Sequence, residues 1–297
     1  MKKESEKKTG KADVIYLNIA VMLFGLAGVV AQYIEIPSIL IAAGRVISSS
    51  LFLFIILKMR KTDIRLDGRR DYYLIMFIGC VLAVHWTSFF HSVQVSTVAV
   101  GTMMSVTFPM FVTFIEPVVF KEKLKLKSVL ASMILIFGVF ITVPEFSLSN
   151  NMTRGILWGV LASLTYAVMT VGNRYFASKY EGMVICFYEQ GTAAVVLLPA
   201  LLTVKAEWHS ADIALICIVG TVCTALAYTL YVTAQKRVKA QTAGIITGME
   251  TVYGILYALV LLGEVPSVRE VAGCSVIIAV AFYTSVLNAT GSNTAGE

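Results

Sequence analysis

Five ionisable side chains stand inside long apolar runs of this 297-residue chain: Arg45, His85, Glu116, Glu189 and Glu250. A charge at the middle of a helix immersed in hydrocarbon costs about 2.5–3.5 kcal/mol on insertion scales, so each of these groups needs a structural partner or a chemical task. Glu250 lies midway along its run with no Lys or Arg within a helical turn. A carboxylate in that setting can carry a proton or meet a cationic amine; the alternative is a packing role, bonded to Thr247 or Thr251. His85, beside Trp86, can take and release protons near neutral pH, and a neutral packing histidine is its alternative. Arg45 and Glu189 fall at comparable places in their runs and read as structural charges that pair with each other or hold partners. Glu116, five residues before Lys121, can snorkel to an aqueous interface.

Polar and small residues at helical spacing give a second signal, because a helix lining a watery path shows them every three or four positions. One run carries Gly159, Ser163, Tyr166, Thr170 and Asn173, and another carries Thr221, Thr224, Tyr228, Tyr231 and Gln235. Weaker stripes are Thr102, Ser105, Pro109 and Thr113, and Asn18, Gly25 and Gln32; small residues there also suit close helix packing. Tyr is too large to favour close approach, so the first two stripes read as cavity walls. Together with Trp86, Phe108 and Tyr253 they describe a site for a small amphipathic solute, lined by His85, Trp86, Phe108, Ser163, Tyr166, Thr170, Tyr228, Glu250 and Tyr253.

The elements that must position these groups are membrane helices. Apolar residues make up 58% of the chain and charged ones 14%, against about 25% charged in soluble domains, and the mean hydropathy is +0.80. Ten apolar runs are long enough to span a bilayer, at 14–34, 37–57, 72–90, 97–120, 127–144, 154–177, 183–204, 212–234, 239–262 and 268–288. The first follows a basic stretch, but its length and its nine successors make it a membrane helix rather than a signal peptide. Of the 24 Lys and Arg, 20 fall in the N-terminal tail and alternate loops and 3 in the opposite loops, Arg45 being the remaining one. Basic residues mark the cytoplasmic side, so both termini are expected there.

The chain also repeats. Sliding it on itself by 142 residues pairs Trp86-Thr87 with Tyr228-Thr229, Pro109 with Thr251, Phe111 with Tyr253, and Lys121-Glu122-Lys123 with Gly263-Glu264-Val265. Five runs per copy is an odd number, so the second copy enters from the other side. The loop charges follow suit: His91-Ser92-Val93-Gln94 has no Lys or Arg, whereas its counterpart Lys236-Arg237-Val238-Lys239 has three. The expected fold is therefore an all-α polytopic membrane protein of ten transmembrane helices in two inverted five-helix repeats, with a solute site between them.

At this level of detail the sequence resembles a known family. The segment Thr97 to Val143, with Phe108-Pro109, then Glu122 and Gly138-Val139, is similar to the end of an EamA repeat of the drug/metabolite transporter superfamily. Gly248 to Glu264 resembles the same unit, with Thr251 where that repeat usually carries Pro. Glu116-Pro117 lies outside the pattern. The resemblance covers residues 14–288 and implies a first repeat at 14–144 and a second at 154–288, between a basic tail at 1–13 and a short tail at 289–297. It further implies a secondary transporter of the inner or plasma membrane, often an exporter of amino acids or other small metabolites, working by alternating access.

Other functions have less behind them. A carrier of phosphorylated or nucleotide-linked metabolites would favour more Lys or Arg within the runs than Arg45. An intramembrane enzyme would need a nucleophile with its base or metal ligands at helical spacing, and neither H-E-x-x-H nor G-x-S-x-G nor a P-loop is present. A receptor would want a sizeable extramembrane domain. The five cysteines lie in apolar runs without a C-x-x-C pair, so no metal site, disulfide framework or cofactor is expected. The expected partners are the lipid bilayer, a small-molecule substrate and protons coupled through Glu250 and His85. The basic loops set orientation rather than bind nucleic acid.

Overall fold

The structure is a computed structural model, which describes residues 11–105, 107–121, 124, 126–142, 147, 149–177, 179–235 and 240–291. Most of the basic tail, Glu122-Lys123, the loop Lys236-Arg237-Val238-Lys239 and the end of the C-terminal tail lie outside the described residues. The described residues form helices and no strand: α1 Lys11–Gln32, α2 Ser38–Met59, α3 Arg69–Val95, α4 Val98–Ser105, α5 Phe108–Phe120, α6 Leu126–Thr142, α7 Asn151–Ala177, α8 Gly182–Thr203, α9 Ser210–Gly220, α10 Ala227–Gln235, α11 Ala240–Tyr257 and α12 Val268–Gly291. Wider π-helical turns at Thr221–Leu226 and Ala258–Leu262 continue α9 into α10 and extend α11. Among the described residues seven helices have the length and apolar character needed to cross a membrane, and Met249–Leu262 is a shorter apolar one. Their outer faces are apolar too: on α2, Leu51, Phe54 and Ile55 are exposed while Leu40, Ile41, Leu53 and Leu57 are buried. A helix that is apolar all round has lipid, not water, as its outer neighbour.

Local chemistry sets the breaks. Pro37 precedes α2, where its fixed φ starts a helix without spending an N–H. Pro109 sits in the first turn of α5, separating it from α4, since proline cannot donate back into a preceding turn. At the far ends of α5 and of the α11 extension, Lys121 and Gly263 both adopt left-handed backbone, with φ of 55° and 68°. These are the residues that the 142-residue offset aligns. Gly263 takes that conformation freely, whereas Lys121 carries a Cβ into it at some cost.

Helix pairing has a two-fold pattern. α3 packs on α7 as α1 packs on α10, α3 on α8 as α2 on α9, and α4 and α5 on α7 as α11 on α1. The pairs α2 with α8 and α6 with α12 map onto themselves when the halves are exchanged. The largest buried cluster runs through α1, α2, α3, α7, α8 and α9, with Leu40, Ile41, Phe90, Phe176 and Val219 among its members. Three glycines permit close approach to a backbone carbonyl of another helix. A Cβ at Gly220 would lie 2.7 Å from the carbonyl oxygen of Arg45, one at Gly79 2.9 Å from that of Glu189, and one at Gly25 2.9 Å from that of Glu250.

Candidate functional site

The backbones of Arg45 and Glu189 are thus clamped against a glycine of a neighbouring helix, and both side chains are buried. Arg45 is 1% exposed. Its guanidinium carbon lies 3.3 Å from the centre of the Trp86 ring and 5.4 Å from that of Phe90, and its Nε donates to Thr224 Oγ1 at 2.5 Å. Thr224 lies in the π-helical turn after α9, so this bond joins the two halves. Its own hydroxyl donates back to Val219 O at 2.7 Å, the five-residue reach that a π turn provides. A cation over an indole face in a desolvated site is stabilised by about 2 kcal/mol, which offsets part of the cost of burying it.

Arg45 and Glu189 do not form an ion pair; each holds other partners. Glu189, 2% exposed, meets the side chain of Asn173 on α7. The carboxylate nearest in field to Arg45 is Glu250, which is half-buried on α11. Packing brings Glu250 into this group through α1, where Gly25 seats against the Glu250 carbonyl and Gly254 of α11.

His85, Trp86, Phe108, Ser163 and Tyr166 come together on α3, α5 and α7. The His85 ring lies 4.7 Å from that of Trp86 and 5.3 Å from that of Tyr166, and Nδ1 is 2.8 Å from Ala162 O. The Phe108 ring lies tilted against that of Tyr166, with centres 4.5 Å apart. Ser163 Oγ shares a 2.8 Å hydrogen bond with Thr107 Oγ1 at the α4–α5 break. Tyr166 lies within electrostatic reach of Glu250, and Tyr228 within reach of Glu189 and Tyr166. Thr170 donates to the Tyr166 carbonyl of its own helix, and Tyr253 reaches Asn18 at 3.4 Å between α1 and α11. Thr251 donates to Thr102 O at 3.2 Å, binding α11 to α4 rather than serving Glu250. Glu116 is half-buried on α5.

Sequence reasoning missed Ser49, Gln190, Gly79 and Gly220 at this site. Gln190 and Ser49 are polar residues in apolar runs, beside Glu189 and four residues from Arg45, and that position was the available signal. The glycines carry no such mark. Several buried polar atoms among these residues have no partner within the described protein: Arg45 Nη1, Ser49 Oγ, Trp86 Nε1, Asn173 Oδ1, Glu189 Oε1 and Gln190 Oε1.

The two ends of the bundle are tied by acidic residues. In the first turn of α3, Asp71 accepts hydrogen bonds from Tyr175 (3.0 Å), Lys179 (3.0 Å) and Tyr180 (2.7 Å) at the α7–α8 corner. The Lys179 ammonium is held above its usual range by its bonds to the Tyr175 hydroxyl and to Asp71. In the first turn of α9, Asp212 accepts from the backbone N–H of Glu35 at 3.3 Å and of His209 at 3.2 Å. Glu264 accepts from the Val98 N–H at 3.1 Å at the start of α4, a favourable place for a carboxylate.

This assembly of apolar helices around a small set of buried charged and aromatic groups has the make-up of a membrane carrier. The model of the EamA-like transporter family matches the chain twice, over residues 12–143 and 153–286, and the chain belongs to that family; it is a multi-pass transporter, not an enzyme. It is 23% identical over 291 residues to the uncharacterized transporter YxxF of Bacillus subtilis (strain 168), covering 96% of this chain and 93% of that one. It is 22% identical over 200 residues to the S-adenosylmethionine uptake transporter of Rickettsia conorii, covering 67% of each. A solved crystal structure with 15% sequence identity superposes with a TM-score of 0.64 over 93% of this chain and 96% of that one, which shows the shared fold.

Proposed function

We propose that the protein is a ten-span secondary carrier of the cell membrane that exports a small amphipathic metabolite, such as an amino acid, by alternating access. In this reading residues 14–144 and 154–288 are inverted repeats, both termini are cytoplasmic, and the solute passes between the halves. The observation that carries it is Arg45 stacked on Trp86 with the half-buried Glu250 within electrostatic reach of both Arg45 and Tyr166, on four helices of both halves of a transporter-family fold. His85, Trp86, Phe108, Ser163, Tyr166, Tyr228 and Glu250 line the path, with Thr170 and Tyr253 at its margins. Arg45 and Glu189 hold the helices around it. Glu250, with His85 near Tyr166, carries the coupled proton: half-buried, it meets water in one state of the cycle and loses it in the other.

The experiment is movement of a labelled metabolite panel, including amino acids and S-adenosylmethionine, in both directions across proteoliposome membranes with and without a pH gradient. The named uptake activity of the Rickettsia relative places S-adenosylmethionine on that panel. Movement of an amphipathic amino acid driven by the gradient is the expected result. A panel in which only phosphorylated compounds move would overturn the substrate reading.

A further inference from the structure

The partnerless polar atoms of the site sort by half. Arg45 Nη1 and Trp86 Nε1, which can only donate, and the Ser49 hydroxyl, which can donate, belong to α2 and α3, whereas the amide oxygens Asn173 Oδ1 and Gln190 Oε1, which can only accept, and the carboxyl oxygen Glu189 Oε1 belong to α7 and α8. Buried polar groups in native proteins are nearly always satisfied, and a guanidinium nitrogen left bare is among the costlier exceptions. Arg45 is held on its face and at Nε. Trp86 covers its face and Thr224 takes Nε, while Nη1 is left without a partner. Ser49 stands four residues along the same helix, hence on the same face as Arg45. Its neighbour Ser48 spends its hydroxyl on the Gly44 and Arg45 carbonyls, and Ser49 does not.

We infer that Arg45 Nη1, Trp86 Nε1 and Ser49 Oγ form a subsite that reads the carboxylate of the transported molecule. This rests on the carrier reading above and assigns Arg45 a task beyond holding helices. A monoanionic carboxylate matches one guanidinium edge and two neutral donors. A phosphate dianion would need a second fixed cation, and the nearby Glu250 opposes the extra charge. The amide oxygens of Asn173 and Gln190 on α7 and α8 offer an anion no hydrogen bond, which favours the α2–α3 side for the carboxylate.

The test is equilibrium binding to the full-length protein in detergent by calorimetry, with 4-phenylbutyrate, 4-phenylbutyramide and inorganic phosphate as probes. 4-Phenylbutyrate is expected to bind at least about tenfold more tightly than its amide, and phosphate not at all. Trp86→Phe keeps an aromatic face under Arg45 but removes the donor, so it should erase most of that carboxylate-over-amide preference while still binding the amide as the wild type does. Arg45→Lys, which keeps the charge and loses the planar fork, should reduce the preference too. Equal binding of acid and amide by the wild type, phosphate binding as tight as that of the carboxylate, or a Trp86→Phe variant with the full preference overturns the subsite. Binding is read without transport, so a failed metabolite panel with an intact acid preference would sink the carrier reading alone.

Discussion

Arg45 on α2 and Glu189 on α8 occupy corresponding places in the two halves, each with its carbonyl seated against a glycine of the neighbouring helix, yet their side chains are held differently. Arg45 is gripped on several sides by Trp86, Phe90 and Thr224, whereas Glu189 meets Asn173 and leaves Oε1 without a partner. The same contrast recurs at the helix ends. Asp71 gathers three side chains from the α7–α8 corner, whereas Asp212, its counterpart on α9, takes two backbone N–H groups and one side chain, that of His209 at 3.5 Å. The backbone frame is two-fold and the chemistry mounted on it is not. A carrier with such a frame can expose either end by related motions while treating solute and protons differently at each.

The largest expected effects come from closing the glycine seats. Gly220→Ala and Gly79→Ala each force a Cβ against a carbonyl oxygen, at a cost of about 1–3 kcal/mol typical of overpacking, with Gly220→Ala the worse because its approach is tighter. Thermal unfolding in detergent measures this, and unchanged melting of both variants would break the correspondence between the two charges. A smaller, local effect is expected at the acidic ties. Asp71→Asn should speed amide exchange over residues 175–182, and Asp212→Asn should do so less over residues 33–37, since it disturbs fewer side chains; the reverse order contradicts the contrast. The Lys179 bond adds a pH signature. A lysine held above its ordinary range contributes its stabilisation below that range and loses it only as pH rises past the raised value, so exchange protection at residues 175–181, after correction for intrinsic rates, should stay flat from about pH 5 to 9. Protection that collapses within that window would show that Lys179 does not hold the corner. Least disturbing is a topology test in cells, in which a cysteine at Ser149 is labelled from outside and one at Ser128 is not. The opposite pattern inverts the assignment of the ends.

Much of the frame was legible because membrane helices advertise themselves by composition, and the charges inside them stand out against it. The helix bounds fall close to the apolar runs, and Arg45, His85, Trp86, Tyr166 and Glu250 were identifiable from their rarity or spacing. What escaped was set by tertiary fit. At Asp71 and Asp212, and at Gly79 and Gly220, corresponding residues are 141 apart, while Trp86 and Tyr228 are 142 apart. The residue gained between them is taken up by the π turn at Thr221–Leu226, which accommodates one extra position within a helix. A fixed offset of 142 therefore passes over both pairs. The bond from Arg45 to Thr224 depends on that widened turn, so residue spacing alone left Arg45 free to be matched with Glu189.

The central claim, a proton-coupled path between the halves, is tested most directly at Glu250. Glu250→Gln preserves shape and hydrogen bonding and cannot titrate. With the substrate found by the panel, transport by the Gln variant in proteoliposomes should lose its pH dependence while binding stays within about twofold of wild type, and Glu250→Asp should keep part of that dependence. A Gln variant that transports at the wild-type rate with an unchanged pH profile would make Glu250 a packing residue and contradict the proposed coupling.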